Sequence, residues 1–320
     1  MATAQNYRYL FGPVRSRRLG LSLGIDVVPM KTCTFNCIYC QLGRTTYQTI
    51  EREEYVPTAA VMDELTTFLA SGGKVDYLTF SGSGEPTLHS KLGEMIAQTK
   101  KMSTRPVAVL TCGSLLFDPQ VRRELAQADL VLPSLDAASP KTFRDINRPH
   151  GRLSLARIID GLKRFRKEYG GQIWLEIMLV KGVNDDAEEI TWLRKTVKEI
   201  KPDKVHLNTV VRPPAESEVE ALTEAELQAL APAFDPPAEV IAHKSGIAKL
   251  PGGDPLLSDV VNMIARHPAT LEEIAESVNC NHELVWLALN ALIEAGAAET
   301  RTHQDKKFYT ATSYAKKFMT

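Results

Sequence analysis

Six short apolar runs, at 21–28, 76–80, 106–111, 130–134, 173–180 and 205–210, alternate along the chain with stretches of helical period. Each run is rich in β-branched or large apolar residues, the composition of a strand. Between them, Val61, Leu65, Phe68 and Leu69 follow Thr58, which reads as an N-cap. Leu155, Ile158, Ile159, Leu162 and Phe165 share one helical face, as do Ile190, Leu193, Val197 and Ile200. Strand and helix in alternation imply α/β architecture with a mostly parallel sheet. Right-handed crossovers wind such units into a barrel or part of one, and six strands fall short of the eight of a closed barrel.

After residue 212 the character changes. Pro213-Pro214, Pro232, Pro236-Pro237 and Pro251-Gly-Gly mark a linker, 213–251, with one short helix near 224–230. Beyond it, 252–320 reads as a compact α+β unit. Asp254-Pro255 opens a helix through Arg266, Thr270-Leu-Glu-Glu273 is a capping box for a second, and Asn281 caps a third that stops at Gly296. A hairpin of 298–301 and 307–310 follows. Three helices and a hairpin resemble a winged helix. The barrel would occupy 1–212.

Of the 320 residues, 44% are hydrophobic and 24% charged, with a net charge of −1. That is a globular composition, and it offers no bulk electrostatic case for nucleic acid. Residues 1–9 hold no apolar leader segment, and no run approaches the ~18 apolar residues of a membrane span. A cytoplasmic protein is expected.

Three of the five cysteines lie within eight residues, Cys33, Cys37 and Cys40, and no fourth lies within 70 residues of them. A closed structural zinc site takes four ligands, and a cubane iron–sulfur cluster has four irons. Three thiolates on a cubane would leave one iron open to a small molecule. Two other readings stay open at this level: zinc completed by a distant histidine, and burial as small hydrophobes. An odd cysteine count and no secretory segment argue against disulfides.

Further polar motifs fall at strand ends. Ser81-Gly82-Ser83-Gly84-Glu85-Pro follows the second run; its glycines allow close backbone approach, and Glu85 offers a carboxylate to an ammonium group. Thr111-Cys112-Gly ends the third, where Cys112 reads more readily as structural than as a redox thiol. Ser134 and Asp136 end the fourth, as ligand contacts or as a turn or cap. His206 and Asn208, two apart, share one strand face. Arg15-Ser-Arg17-Arg18 either binds an anion or pairs on the surface with Glu51, Glu53 or Glu54.

The Cys33-x3-Cys37-x2-Cys40 spacing, with Tyr39 before the last cysteine, resembles the signature of the radical S-adenosylmethionine (radical SAM) enzymes. Ser-Arg-Arg-Leu-Gly, Cys-Ile-Tyr-Cys-Gln-Leu-Gly, Gly-Glu-Pro-Thr-Leu and Val-Arg-Pro-Pro, within 13–215, look like the iron–sulfur oxidoreductases related to wyosine-tRNA synthesis. The resemblance implies a six-stranded partial barrel and a [4Fe-4S] cluster on Cys33, Cys37 and Cys40. It implies S-adenosylmethionine held by Gly82, Ser83, Gly84 and Glu85, with Tyr39 near the adenine and Ser134 and Asp136 on the ribose. It also implies an external one-electron reductant of flavodoxin or ferredoxin type, and a 5′-deoxyadenosyl radical that takes hydrogen from substrate. No catalytic side chain is named. Where many relatives carry Thr-Asn-Gly, this chain has Cys112. No further cysteine precedes Cys33, which disfavours the wyosine reaction itself, and Cys112 and Cys280 are too scattered for an auxiliary cluster. RNA, a protein side chain and a small metabolite are all compatible substrates.

The alternative function is a winged-helix iron–sulfur sensor or regulator, binding DNA or a partner protein. Residues 252–320 carry six Lys and Arg against nine Asp and Glu, and the third helix has no Lys or Arg. Phosphate neutralisation needs cations, so DNA is disfavoured; substrate recognition or dimer contact is expected instead, with Trp286 in the core or on a protein contact.

Overall fold

The computed structural model describes residues 7–241, 256–278, 280–294 and 296–312. Strand β1 (Leu10–Ser16) turns into β2 (Gly20–Ile25), and the loop that follows holds two short strands, β3 (Thr32–Cys33) and β4 (Tyr47–Gln48). Next come α1 (Thr58–Ala70), β5 (Tyr77–Phe80), α2 (Leu92–Met102), β6 (Val107–Thr111), α3 (Pro119–Leu125) and β7 (Leu130–Pro133). Helices α4 (Pro140–Asn147) and α5 (Leu155–Glu168) lead to β8 (Gln172–Leu179), then α6 (Ala187–Ile200) to β9 (Lys204–Thr209). Helix α7 (Glu224–Leu230) precedes β10 (Glu239–Val240).

Eight strands form one sheet in the order β1-β2-β5-β6-β7-β8-β9-β10. From β2 onward all neighbours are parallel, and β1 alone is antiparallel. The six expected strands are all there. The additions are the two edges, which the sequence hides. Gly12 has φ +91° and the β1–β2 register shifts between Phe11 and Val14, so Gly12-Pro13 reads as a turn although it lies inside an edge strand. At α1, Thr58 is the first helical residue rather than the cap, and its N–H donates to Glu54 Oε1 at 2.8 Å.

Strand alternation divides the side chains. Leu23, Ile25, Leu78, Phe80, Val107 and Val109 pack outward against the helices, whose buried faces include Val61, Leu65, Ile158, Phe165, Leu193 and Val197. Burying each such side chain contributes about 1.5–3 kcal/mol. The inner face is different. Leu19, Ala108, Leu130 and Leu132, with Tyr77 and Trp174, form a small separate core that floors the barrel, and polar residues lie above it.

The C-terminal unit comprises α8 (Leu256–Arg266), α9 (Leu271–Ser277), α10 (His282–Glu294) and a hairpin of β11 (Ala298–His303) and β12 (Lys306–Ala311). The Thr270–Glu273 capping box forms, and Asn281 Oδ1 accepts Leu284 N–H at 2.8 Å. Pro251-Gly-Gly and Asp254-Pro255 lie outside the described residues. Val260, Ile264, Ile274, Val285 and Leu289 give this unit its own core, while Trp286 is 50% exposed and is no core residue. The unit sits on the barrel through polar contacts. Arg212 binds Glu273 and the Pro268 carbonyl, and His303 Nε2 lies 2.7 Å from the Val210 carbonyl.

Candidate functional site

The cysteine loop leaves the carboxyl end of β2, the end where β/α barrels collect their ligand-binding loops. It packs backbone to backbone on the glycine turn after β5: Lys31 N–H donates to the Ser83 carbonyl at 2.7 Å, and Glu85 N–H to the Thr32 carbonyl at 3.1 Å. This contact explains the glycines. A Cβ on Gly84 would stand 1.8 Å from Thr32 O, and Gly82, at φ +137°, would put one 2.6 Å from Asp26 Cγ. They make room first for the chain itself.

Around the thiols, Lys31 Nζ donates to Cys40 Sγ at 3.0 Å, and Asn147 Nδ2 to Cys37 Sγ at 3.4 Å. Cys33 shares a hydrogen bond with Cys112, which holds the Cys33 thiol below its ordinary value, and burial lifts Cys112 well above its own. Thr34 Oγ1 and Ser114 Oγ also meet Cys112 Sγ, at 3.1 and 3.2 Å. Burial, then the Asp136 charge, pushes the Cys37 thiol up. Among the described residues no three His, Cys, Asp or Glu side chains converge tightly enough for a single metal ion.

Two buried carboxylates brace this region, each on neutral donors. Glu85 takes the Thr87 N–H at 3.0 Å, the Thr87 and Thr111 hydroxyls at 2.6 Å each, and the Cys112 N–H at 2.7 Å. Asp136 takes the Tyr39 hydroxyl at 2.5 Å, Asn147 Nδ2 at 2.7 Å and the Met178 N–H at 2.9 Å. Burial raises its pKa against the pull of those three bonds. Tyr39, Asp136 and Asn147 therefore act together as a brace behind Cys37.

A cavity of about 370 Å³ opens beside the loop. Cys33, Gly82, Gly84, Glu85 and Ser134 line it, as does Cys112. Ser83 does not; its hydroxyl turns to Asp26 Oδ2 at 2.5 Å. Tyr39 and Asp136 bind one another outside the lining, so the structure separates Asp136 from Ser134, which the sequence had paired. The same cavity is lined by Arg17, Arg18 and Glu176, by Arg212 just after β9, and by Arg266 and His267 at the end of α8. Arg17 and Arg18 thus point inward and neither pairs with Glu51, Glu53 or Glu54. Arg18 binds Glu176, and Asn208 Nδ2 donates to Glu176 Oε1 at 2.8 Å. His206 and Asn208 do share the inner face.

Arg266 ties the C-terminal unit to the site: its Nε donates to Asp26 Oδ2 at 2.9 Å with both side chains 5% exposed, and Nη2 donates to the Arg8 carbonyl at 2.7 Å. His267 Nδ1 lies 3.3 Å from Gln41 Nε2, in the cysteine loop. Sequence reasoning missed Lys31, Asp26, Arg266 and His267. Only the Arg17-Arg18 cluster gave a local signal.

Residues 27–191 match the Radical SAM superfamily. The chain is 32% identical over 308 residues to the UPF0026 protein MJ1312 of Methanocaldococcus jannaschii, covering 93% of this chain and 94% of that protein. It is 38% identical over 290 residues to a Brachyspira hyodysenteriae protein named GTPase Obg, covering 90% of this chain but 43% of that protein. The chain thus spans less than half of that relative's length. Among solved structures, TYW1 with a lysine-pyruvate adduct bound shares the fold at a TM-score of 0.54, 19% identity and coverage of 71% and 76% of the two chains. No helix among the described residues is long and apolar enough to cross a membrane. The match over more than half the chain, and a relative collinear with nearly all of it, show that this protein belongs to the radical SAM superfamily.

Proposed function

We propose that the chain is a radical SAM enzyme that holds a [4Fe-4S] cluster on Cys33, Cys37 and Cys40 and cleaves S-adenosylmethionine reductively. The observation that carries the reading is the placement of three thiols on one loop at the carboxyl end of β2, with Cys33 lining a cavity shared with Gly82, Gly84 and Glu85. Three thiols on a four-iron cluster leave one coordination position to a small molecule. When bound, the reduced cluster and S-adenosylmethionine together supply a 5′-deoxyadenosyl radical that removes a hydrogen atom from substrate. The electron comes from an external flavodoxin- or ferredoxin-type donor, in a cytoplasm that keeps thiols reduced.

The protein's own part is positioning and exclusion of water. Lys31 and Asn147 direct N–H groups at Cys40 and Cys37 and so hold the two sulfurs in place. Gly82 and Gly84 present backbone to the cavity, as an ammonium group requires. Glu85, with four donors already bound, fixes that turn against β6 and gives the site its negative side. Ser134 is the ribose contact, whereas Asp136 and Tyr39 brace the loop around Cys37.

Anaerobic reconstitution with iron and sulfide tests this directly. The expected product is a brown protein that forms 5′-deoxyadenosine from S-adenosylmethionine under dithionite. Cys33→Ala, Cys37→Ala and Cys40→Ala should each abolish it; formation that survives all three changes sinks the assignment.

A further inference from the structure

Four arginines line the cavity, and three are matched one to one. Arg18 binds Glu176, Arg212 binds Glu273 and Arg266 binds Asp26. Arg17 is the odd one. Its Nη1 reaches Asn208 Oδ1 at 3.2 Å and the Ile241 carbonyl at 3.5 Å, both neutral acceptors. Its Nε and Nη2 meet no protein acceptor among the described residues.

Among the described residues the carboxylate whose charge acts on Arg17 is Glu273, and its oxygens are bonded elsewhere. Glu273 is taken by the Arg212 fork and by Thr270 N–H at 3.0 Å. Glu176 is shared between Arg18 and Asn208, an arrangement that also turns Asn208 Oδ1 toward Arg17. Glu85, on the cysteine side, is saturated by neutral donors. A part-buried guanidinium without a bound counterion is unfavourable. Its Nε–Nη2 edge is the planar fork that matches a carboxylate or phosphate with two parallel hydrogen bonds.

We propose that the free edge of Arg17 grips the carboxylate or phosphate of a small-molecule substrate in the cavity lined by Cys33. This rests on the reading of that cavity as the reaction chamber and adds the substrate's chemical class. The substrate is small because the cavity holds about 370 Å³ and Arg266 and His267, tied to Asp26 and Gln41, narrow it from the side of the C-terminal unit.

The test is calorimetric titration of the anaerobically reconstituted full chain with inorganic phosphate and, separately, malonate. No reductant or S-adenosylmethionine is added, so the outcome is independent of whether the cofactor is cleaved. One site per chain is expected for at least one anion: phosphate alone assigns a phosphorylated substrate, malonate alone a carboxylate, and both the shared anion chemistry. Arg17→Met should weaken it at least about tenfold, while Arg152→Gln, at an exposed pair with Glu51, should leave it unchanged. Phenylglyoxal labelling of Arg17 in the unmutated protein, read by mass spectrometry, should slow when the binding anion is present. Absence of saturable binding, full affinity in Arg17→Met, or labelling that the anion does not slow would overturn the proposal. Displacement of the anion by a tRNA pool would overturn the small-molecule assignment.

Discussion

The two sides of the site, in the cavity wall and just behind it, hold their carboxylates in opposite ways. On the cysteine side, Glu85 and Asp136 are buried against neutral donors alone, a backbone N–H, hydroxyls and an amide. On the arginine side, Asp26, Glu176 and Glu273 are each joined to a guanidinium. The first side keeps its negative charge, which adds to burial in lifting the Cys37 thiol; the second is neutralised pair by pair until Arg17 tips it positive. Burial together with neighbouring arginines accordingly drives His267 well below its ordinary pKa, and pulls Arg18 down to about 10. A chamber polarised in this way suits a cationic cofactor at one end and an anion at the other.

The sharpest way to break the comparison is within the cysteine side, where the glycine turn meets the cysteine loop. In Gly84→Ala the new methyl would stand 1.8 Å from Thr32 O, a backbone atom that cannot step aside. The cost lies beyond the ~3 kcal/mol upper end of ordinary overpacking, and the two loops should separate. Iron loading should be lost altogether in a chain whose helix content persists. Normal loading would mean the loops do not depend on that contact.

Next in size is the ion pair that fastens the C-terminal unit. Arg266→Met would leave the Asp26 carboxylate buried at 5% exposure without its cation. Breaking such a pair costs about 3–5 kcal/mol, whereas replacing both members is far milder. Arg266→Met should therefore be more destabilised in urea than the Arg266→Met/Asp26→Asn double variant. Equal losses would show that Arg266 acts through packing over Phe11, its ring neighbour at 5.6 Å, and not through charge.

These two sites also show what the sequence could express. Repeating patterns were legible because period is local: six of the seven parallel strands and the faces of α5 and α6 follow from it. The three cysteines announced their chemistry by spacing. Arg266 and Asp26, 240 residues apart, carry no periodic trace, and neither do Cys33 and Cys112 or Tyr39 and Asp136. Arg17 and Arg18 were visible as a cluster, but their direction was not, because it depends on β1 closing over β2 with a bulge that reads as a turn.

The positive wall should also make the fold acid-sensitive. His206 lies on the inner face with Nδ1 unpartnered among the described residues, beside the Trp174 ring. Burial and then the charge of Arg18 lower its pKa to about 4, with Lys204 acting alike and Glu239 opposing. Because the native state disfavours protonation, the unfolded chain binds the extra proton between that value and ~6.5. Stability is then fully present above ~6.5 and falls as pH drops through 4, by on the order of 3 kcal/mol at most. His267, lowered in the same sense, adds to the loss. His206→Gln should flatten the decline of the urea midpoint between neutral and acid pH, and an unchanged slope would clear His206 of the effect.

The smallest effect concerns the neutral wall. Tyr39→Phe removes one of three donors to Asp136, the hydroxyl at 2.5 Å, while Asn147 and the Met178 N–H remain. Losing one hydrogen bond to a charged group costs about 2 kcal/mol, less than stripping Asp26 of its only guanidinium. The carboxylate keeps its orientation, so iron loading should survive, and the phenyl ring still fills the space behind Cys37. Asp136→Ala takes away the acceptor that Tyr39 and Asn147 share, freeing both from the brace behind Cys37. Its loading should drop well below that of Tyr39→Phe. If the two variants load iron equally, Asp136 does not organise the cysteine loop, and its place beside Ser134 in the sequence would regain its simpler meaning as a cofactor contact.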